Sequence, residues 1–452
     1  MNGGMYMRIR TLLITSIRYG FYWLFIYVCS YEALAQKSWT LTECLSFAQK
    51  NNPQIQQASL LQNRSLLQRQ QAKNQFLPTL DARVRSAGNW GFIIDPSTNL
   101  LSNQFNFGNQ ASINLNLDLF NGLSNVNRLK LRNQEVTTAN YGYEVSVNDV
   151  IIDVTYAYLQ ILLAHEQLKS SKIRSGYLNR QQQKIQASFS KGILNKGDLL
   201  TIQSLVAAEE LMAVYAETNI EKATFTLMNV MGMPLNEAIT VDTVRVPDNW
   251  QMTKLTLDEL LNTSTATLPD LKAADSKVQT AYYLWQSERA IYLPALTFTA
   301  QIATRTSNYK PERFNQQLRT NLNQQVGLSL YLPIFNRLML RNIDQIARLD
   351  MTASKLAYQQ VDRELRGKIV NAFLDYKAAA RKYQALLTQY EAVREAYRYA
   401  ERTLELGSID AIAFGVTRSQ LVLAQSELLQ AKYDSFFKQK VLDFYQGKPL
   451  FF

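Results

Sequence analysis

A mostly helical fold with a small membrane-spanning β segment, written as two tandem copies of one unit, is predicted by three features of the 452-residue sequence. Glycine (17) and proline (10) are sparse for the length, which favours long helices over an all-β or nucleotide-binding α/β chain. Four short segments leave the helical period and alternate strictly between apolar and polar residues. An ordered series of landmarks also recurs at one fixed offset.

Composition narrows the function. With 24 Tyr, 20 Phe and 19% charged residues the chain is not disordered. One histidine excludes a multi-histidine metal centre, and two cysteines exclude a disulfide framework or a cysteine-rich zinc site. His165 lies beside Glu166 with no H-x-x-x-H or H-x-x-E arrangement, so it reads as structural or surface-placed. The net charge of +11 comes from Lys and Arg interleaved with Asp and Glu along helices, not clustered, which argues against nucleic acid. No catalytic motif, cofactor site or metal site is expected, and the protein does not read as an enzyme.

The first 35 residues read as an export signal. Arg8, Arg10 and Arg18 precede the apolar run Phe21–Cys29, which leads to Ala33-Leu34-Ala35, an A-x-A cleavage pattern. The run is too short for the roughly 20 residues that cross a bilayer, which weighs against a membrane anchor. Neither Cys29 nor Cys44 has the small-residue context of a lipidation site. Removing three Arg and Glu32 takes the net charge from +11 to +9 and leaves Cys44 alone, as a small buried hydrophobe. No further segment reads as a transmembrane helix.

The mature chain is one unit written twice. Asn52-Pro53-Gln54-Ile55 answers to Leu268-Pro269-Asp270-Leu271, and Phe76-Leu77-Pro78 to Tyr292-Leu293-Pro294, both 216 residues on. Leu119-Phe120-Asn121 answers to Ile334-Phe335-Asn336, Gly192 to Gly407, and Met231-Gly232 to Gln446-Gly447, at 215. A constant offset means that geometry constrains the spacing. The expected repeats cover 36–235 and 266–446, joined by an equatorial segment at 236–265 and followed by a tail at 447–452.

Each repeat reads helix, strand, loop, strand, very long helix, turn, helix. The first helix runs from about 42 to 75 and stops before Pro78, which lacks a donor and restricts its predecessor. Strands are expected at about 79–88 and 111–120, then at 295–305 and 324–333. Leu80 and Val84, then Ile113, Leu115 and Leu117, alternate with polar residues; so do Leu296 and Phe298, then Val326, Leu328 and Leu330. A soluble sheet with one face on a core fits this pattern. A transmembrane β-barrel fits its strand length and polar lumen better, with those ten residues toward lipid. Four strands cannot close a barrel, so a spanning sheet requires oligomerisation.

The long helices are expected at about 121–189 and 336–406, with return helices at 198–232 and 411–445. Roughly 70 uninterrupted residues make about 100 Å of helix. Ile369, Phe373, Tyr376, Ala380, Tyr383, Leu387 and Tyr390 step by heptad spacing, as do Val150, Val154, Ala157, Ile161, Ala164 and Leu168. Flanking Ile151, Tyr158 and Leu162 suggest neighbours on two sides, as in the wall of a tube; an antiparallel bundle is the plainer alternative.

A duplicated strand pair and helical hairpin behind an export signal resembles the TolC-type outer-membrane efflux family. The likeness spans the mature chain and is carried by Leu77-Pro78 and Leu293-Pro294, with Leu119-Phe120-Asn121-Gly122 and Leu332-Pro333-Ile334-Phe335-Asn336. It implies a homotrimer with a 12-stranded barrel in the outer membrane of a Gram-negative bacterium and a 12-helix tunnel through the periplasm. It also implies two partners, a periplasmic adaptor (membrane fusion protein) and an inner-membrane transporter. The implied role is a passive duct for small molecules or, as the alternative, the outer-membrane part of a type I protein secretion system.

The family closes its tunnel at the periplasmic turns, often with acidic residues. Asp198, six residues after Gly192, matches that position; six and nine residues after Gly407 stand Ala413 and Val416 instead. Asp410 is offset, either Asp198 or Asp410 can also cap the following helix, and Phe414 is an apolar candidate for the constriction. The terminal Phe451-Phe452 is similar to the aromatic end of many outer-membrane proteins but lies outside any expected strand. A soluble coiled-coil adaptor would explain the hairpins but not the strands, and an exported hydrolase would need a pocket that no motif announces.

Overall fold

The computed structural model describes residues 38–94, 99, 101–103, 105–234, 239–242, 255–308, 312–406, 408–409 and 411–448. The expected signal, Gly407, Asp410 and Phe451-Phe452 lie outside them. In chain order the elements are β1 (Ser38–Trp39), α1 (Leu41–Asn51), α2 (Pro53–Asn74), β2 (Thr79–Asn89), β3 (Phe92–Ile94), β4 (Leu101–Asn103), β5 (Asn106–Asn121), α3 (Ser124–Ser190) and α4 (Lys196–Met231). There follow β6 (Thr240–Val241), α5 (Leu257–Thr267), α6 (Pro269–Arg289), β7 (Ala295–Ser307), α7 (Phe314–Thr320), β8 (Asn323–Tyr331), α8 (Met339–Glu405) and α9 (Ala411–Tyr445).

The first helix is not continuous over 42–75. It breaks at Asn52, which is extended (φ −63°, ψ 126°) because Pro53 disfavours a helical predecessor. Leu268 before Pro269 breaks the matching helix in the same way (φ −69°, ψ 142°). Proline at the first helical position is tolerated, since its missing N–H has no partner there. Asn52 Oδ1 accepts from the N–H groups of Gln54 (2.7 Å) and Ile55 (3.2 Å), whereas Leu268 offers no side-chain cap.

Two consecutive left-handed residues turn each strand pair into its long helix: Gly122 (φ +64°) and Leu123 (φ +68°), then Arg337 (φ +56°) and Leu338 (φ +63°). Gly122 is required twice over, because a Cβ there would strike the Ala290 carbonyl oxygen and lie 2.7 Å from Leu293 Cβ. The long helices start three residues later than expected, since these turns take up the intervening chain.

Helices α3 and α8 each have 67 residues, on the order of 100 Å. Each forms a hairpin with its return helix, α4 or α9, while α2, α3, α6 and α8 lie side by side toward the sheet. The heptad residues Val150, Val154, Ala157, Ile161 and Ala164 are buried, and so are Ile369 and Tyr376. Tyr158 is fully buried and donates to the Asp242 carbonyl oxygen at 2.8 Å, tying α3 to the segment around β6 that joins the two halves of the chain. That segment is further pinned by the parallel pairing of β1 with β6. Arg174 pairs with Glu209 at 2.8 Å and Ser171 bonds the same carboxylate, fastening α3 to α4. Cys44 sits in this core, and burial pushes its thiol up to about 12, which makes it unreactive.

By length and hydropathy alone, 18-residue windows in α3 and α4 are apolar enough to cross a membrane. Half of the α3 window is buried by packing against its neighbours, so its hydropathy reflects helix–helix contact.

Candidate functional site

The sheet runs β2-β5-β7-β8, antiparallel throughout, so β5 pairs with β7 of the other half and β2 and β8 are left as edges. Cross-strand register decides which residues share a face. Leu80, Leu115, Ala300 and Val326 form one row, and Leu117, Phe298 and Leu328 the next. A register shift between Asp118 and Phe120 brings Phe120 into line with Leu296 and Leu330. Val84 and Ile113 extend the same face toward the hairpin ends. All ten apolar residues singled out from sequence therefore lie on one side. Leu80, Val84, Val326, Leu328 and Leu330 are between 67% and 76% exposed. A soluble sheet packed on its own core would bury that face.

The opposite face is polar and internally hydrogen-bonded. Gln301 Nε2 donates to Asn114 Oδ1 at 2.7 Å, and Asn114 Nδ2 donates to Asp81 Oδ2 at 3.0 Å, a ladder across three strands. Thr297 donates to Asp118 at 3.3 Å. Beyond the strands, the short helix α7, which the sequence did not announce, is fastened to the end of β7. Gln317 Oε1 accepts from the Ser307 N–H at 2.8 Å and Gln317 Nε2 donates to the Ser307 carbonyl at 3.1 Å.

At the far end of the hairpins, α3 stops in a Schellman turn. The Gly192 N–H (φ +75°) donates to the Phe189 carbonyl and that of Ile193 to the Ser188 carbonyl, at 2.9 and 3.0 Å. Asn195 then caps α4. It accepts from the Asp198 N–H at 3.0 Å, while the Asp198 carboxylate accepts from the Asn195 N–H at 3.3 Å. Asp198 is thus half engaged as a cap, and the rest of its side chain lines a groove of about 360 Å³ between α3, α4 and α9. Leu178, Ile202, Leu205 and Val416 make that groove apolar.

Arg418 of α9 lies over the ring of Tyr177 of α3, 3.8 Å from its centroid, and joins the two hairpins there. Phe414 packs its ring 5.5 Å from that of Tyr397 in α8, within its own hairpin. The Tyr397 hydroxyl donates to Glu401 at 3.3 Å; burial, then the Glu401 carboxylate, hold its phenol above the usual range. Sequence reasoning missed Arg418 and Tyr177, because nothing in either helix alone says that the two face each other.

The outer membrane efflux protein family is matched over residues 44–233 and 260–442. The pyoverdine export outer membrane protein OpmQ of Pseudomonas putida is 26% identical over 282 residues, which is 61% of this chain. The match spans 56% of that relative's length. Among solved structures, the CmeC outer membrane channel of Campylobacter jejuni superposes with a TM-score of 0.73 at 17% identity, over 90% of this chain and 85% of CmeC. The outer membrane protein VceC of Vibrio cholerae gives 0.69 at 15%, over 91% and 97%. The open-state MtrE outer membrane channel of Neisseria gonorrhoeae gives 0.71 at 17%, over 90% and 88%.

Proposed function

This chain belongs to the outer membrane efflux protein family, whose place is the Gram-negative outer membrane, and from that premise we propose that it is a passive export duct. Three copies close a 12-stranded barrel, each contributing its four strands, and their hairpins form a tunnel of about 100 Å through the periplasm. The observation that carries the reading is the sheet: one face apolar across all four strands and exposed, the other polar, with unpaired edges at β2 and β8. Joining such edges removes them, and a closed sheet satisfies every backbone group in lipid.

The duct receives cargo from an inner-membrane transporter through a periplasmic adaptor, and the energy comes from the transporter. Small-molecule cargo is favoured over secreted polypeptide, because the matched relative's own name gives pyoverdine export. The tip is the gate. Asp198 lines its groove, the Arg418–Tyr177 contact holds the two hairpins together, and Phe414, with Asp410 four residues before it in the sequence, is the candidate from the second hairpin.

A photocrosslinker attached to a cysteine at Lys191, in the exposed turn, tests the reading in intact cells. Capture of an adaptor together with an inner-membrane pump, identified by mass spectrometry, is expected. Repeated capture of soluble periplasmic enzymes alone would count against it.

A further inference from the structure

The polar face of the sheet is asymmetric in charge. Its two acids, Asp81 and Asp118, lie toward the helices, and both accept hydrogen bonds from neighbouring strands. Its three arginines lie farther from the helices, Arg83 at mid-strand and Arg85 and Arg305 toward the hairpin ends. Arg85 is opposite Gln110, which is opposite Arg305, so the two arginines share one row of the sheet. Arg83, opposite Ser112, is one same-face step closer to the helices. All three are exposed, and neither Arg83 nor Arg85 forms an ion pair among the described residues. The rows through Arg83 and Arg85 otherwise hold Gln110, Ser112, Ala303 and Asn323, with no carboxylate among them. Grouping like charges on one face costs stability through repulsion, and a merely solvated surface gains nothing from it.

We infer that Arg83, Arg85 and Arg305 form a cationic collar inside the outer half of the barrel, and that the duct passes small organic anions, such as carboxylates and sulfonates, in preference to cations. The inference rests on the trimeric-barrel reading, which makes the polar face the lumen. Three arginines in each of three copies place nine positive charges around it. Twelve strands about 4.8 Å apart and tilted by about 40° enclose a barrel roughly 24 Å across, before side chains narrow it. The Debye length at physiological salt is about 8 Å, so the fields from opposite walls reach most of the lumen. Rings of arginine are a general means of favouring anions in a pore. Asp81, one same-face step from Arg83, and Asp118 offset part of this field, because neutral hydrogen-bond donors leave a carboxylate its charge. The face keeps a net charge of +1 per copy (three Arg against two Asp), with the positive excess toward the hairpin ends.

The test compares the full-length trimer with its R83Q/R85Q/R305Q and R83K/R85K/R305K variants in two measurements. In planar bilayers under a KCl gradient, the wild type and the lysine variant should show a reversal potential of anion-preferring sign. The glutamine variant should move toward zero or beyond. In detergent solution, the polyanionic dye pyranine should bind the wild type and lysine variant at low salt, and the glutamine variant about tenfold or more weakly. Equal ion preference and equal dye binding in wild type and glutamine variant would overturn the collar while leaving a conducting duct intact. A dye difference without current in any of the three proteins would support the collar and count against an open duct.

Discussion

The guanidinium of Arg418 stands 3.8 Å from the ring centroid of Tyr177, a contact that spans the two halves of the chain. A cation over an aromatic face contributes from about 0.5 to 2 kcal/mol, depending on how far it is desolvated. If the hairpins separate to open the tip, this contact resists them. Arg418→Ala and Tyr177→Ala should each raise channel conductance in planar bilayers without changing trimer yield. Unchanged conductance in both variants would remove this pair from the gate.

Asn52 does two things at one helix break. Its Oδ1 caps α2, and its Nδ2 donates to the Val230 carbonyl at 2.7 Å near the end of α4. Asn52→Ala should cost about 1–2 kcal/mol for the cap and up to about 1 kcal/mol more for the lost bond. Asn52→Asp keeps the acceptor and loses the donor, so chemical denaturation should place it between alanine and wild type. Equal midpoints for the two variants would contradict this division.

The paired strand-to-helix turns differ in one residue. Arg337 occupies the left-handed region that Gly122 occupies in the first half. Arg337→Gly should stabilise by about 1 kcal/mol, because a left-handed conformation strains any residue with a Cβ. Gly122→Ala should destabilise by more than that, since its Cβ has no room. A drop in melting temperature for Arg337→Gly would show that its side chain makes a stronger contribution than its backbone costs.

Leu115 and Leu328 lie on the exposed apolar face of β5 and β8. Arginine at either position should cost roughly 2–4 kcal/mol at mid-bilayer and reduce heat-modifiable trimer in the outer membrane. Normal trimer from both variants would contradict the assignment of this face to lipid.

Asp149 of α3 is held above its usual range by burial first, then by the Asp270 carboxylate, with Lys368 opposing. A carboxyl whose folded-state pKa is raised binds its proton more readily when folded. Its contribution therefore disfavours folding at neutral pH, and the penalty fades as pH falls through the raised value. Asp149→Asn should raise the unfolding midpoint at pH 7 and leave less gain on mild acidification. A lower midpoint for Asp149→Asn at pH 7 would mean that Lys368 dominates.

Much of this structure is written locally. The Leu77-Pro78 and Leu293-Pro294 junctions, the period-2 runs and the proline-free helices each rest on neighbours within a few residues, so the sequence displays them. The break at Asn52 was legible in principle, because Pro53 marks it, but a continuous run of Gln, Leu and Ala on both sides masked the signal. Helix α7 depends on Gln317 reaching Ser307, ten residues away, and no local period records that. The site was less legible than the fold. The Asn195–Asp198 capping box is local, three residues apart, and the sequence already allows Asp198 to cap this helix, whereas the approach of Arg418 to Tyr177 depends on tertiary packing.

The central claim is that β2 of one copy joins β8 of the next. It is tested most directly by disulfide trapping in membranes, in a Cys44→Ser background, with one cysteine at Thr79, Asp81 or Arg83 and one at Asn323, Gln325 or Gly327. A disulfide forms only where Cβ atoms come within about 4.5 Å, so a few of these pairs match the true register. The account predicts that those pairs give crosslinked dimers and trimers on denaturing gels, in a ladder that stops at three. Monomer alone from every pair, or a ladder that continues past three, would contradict it.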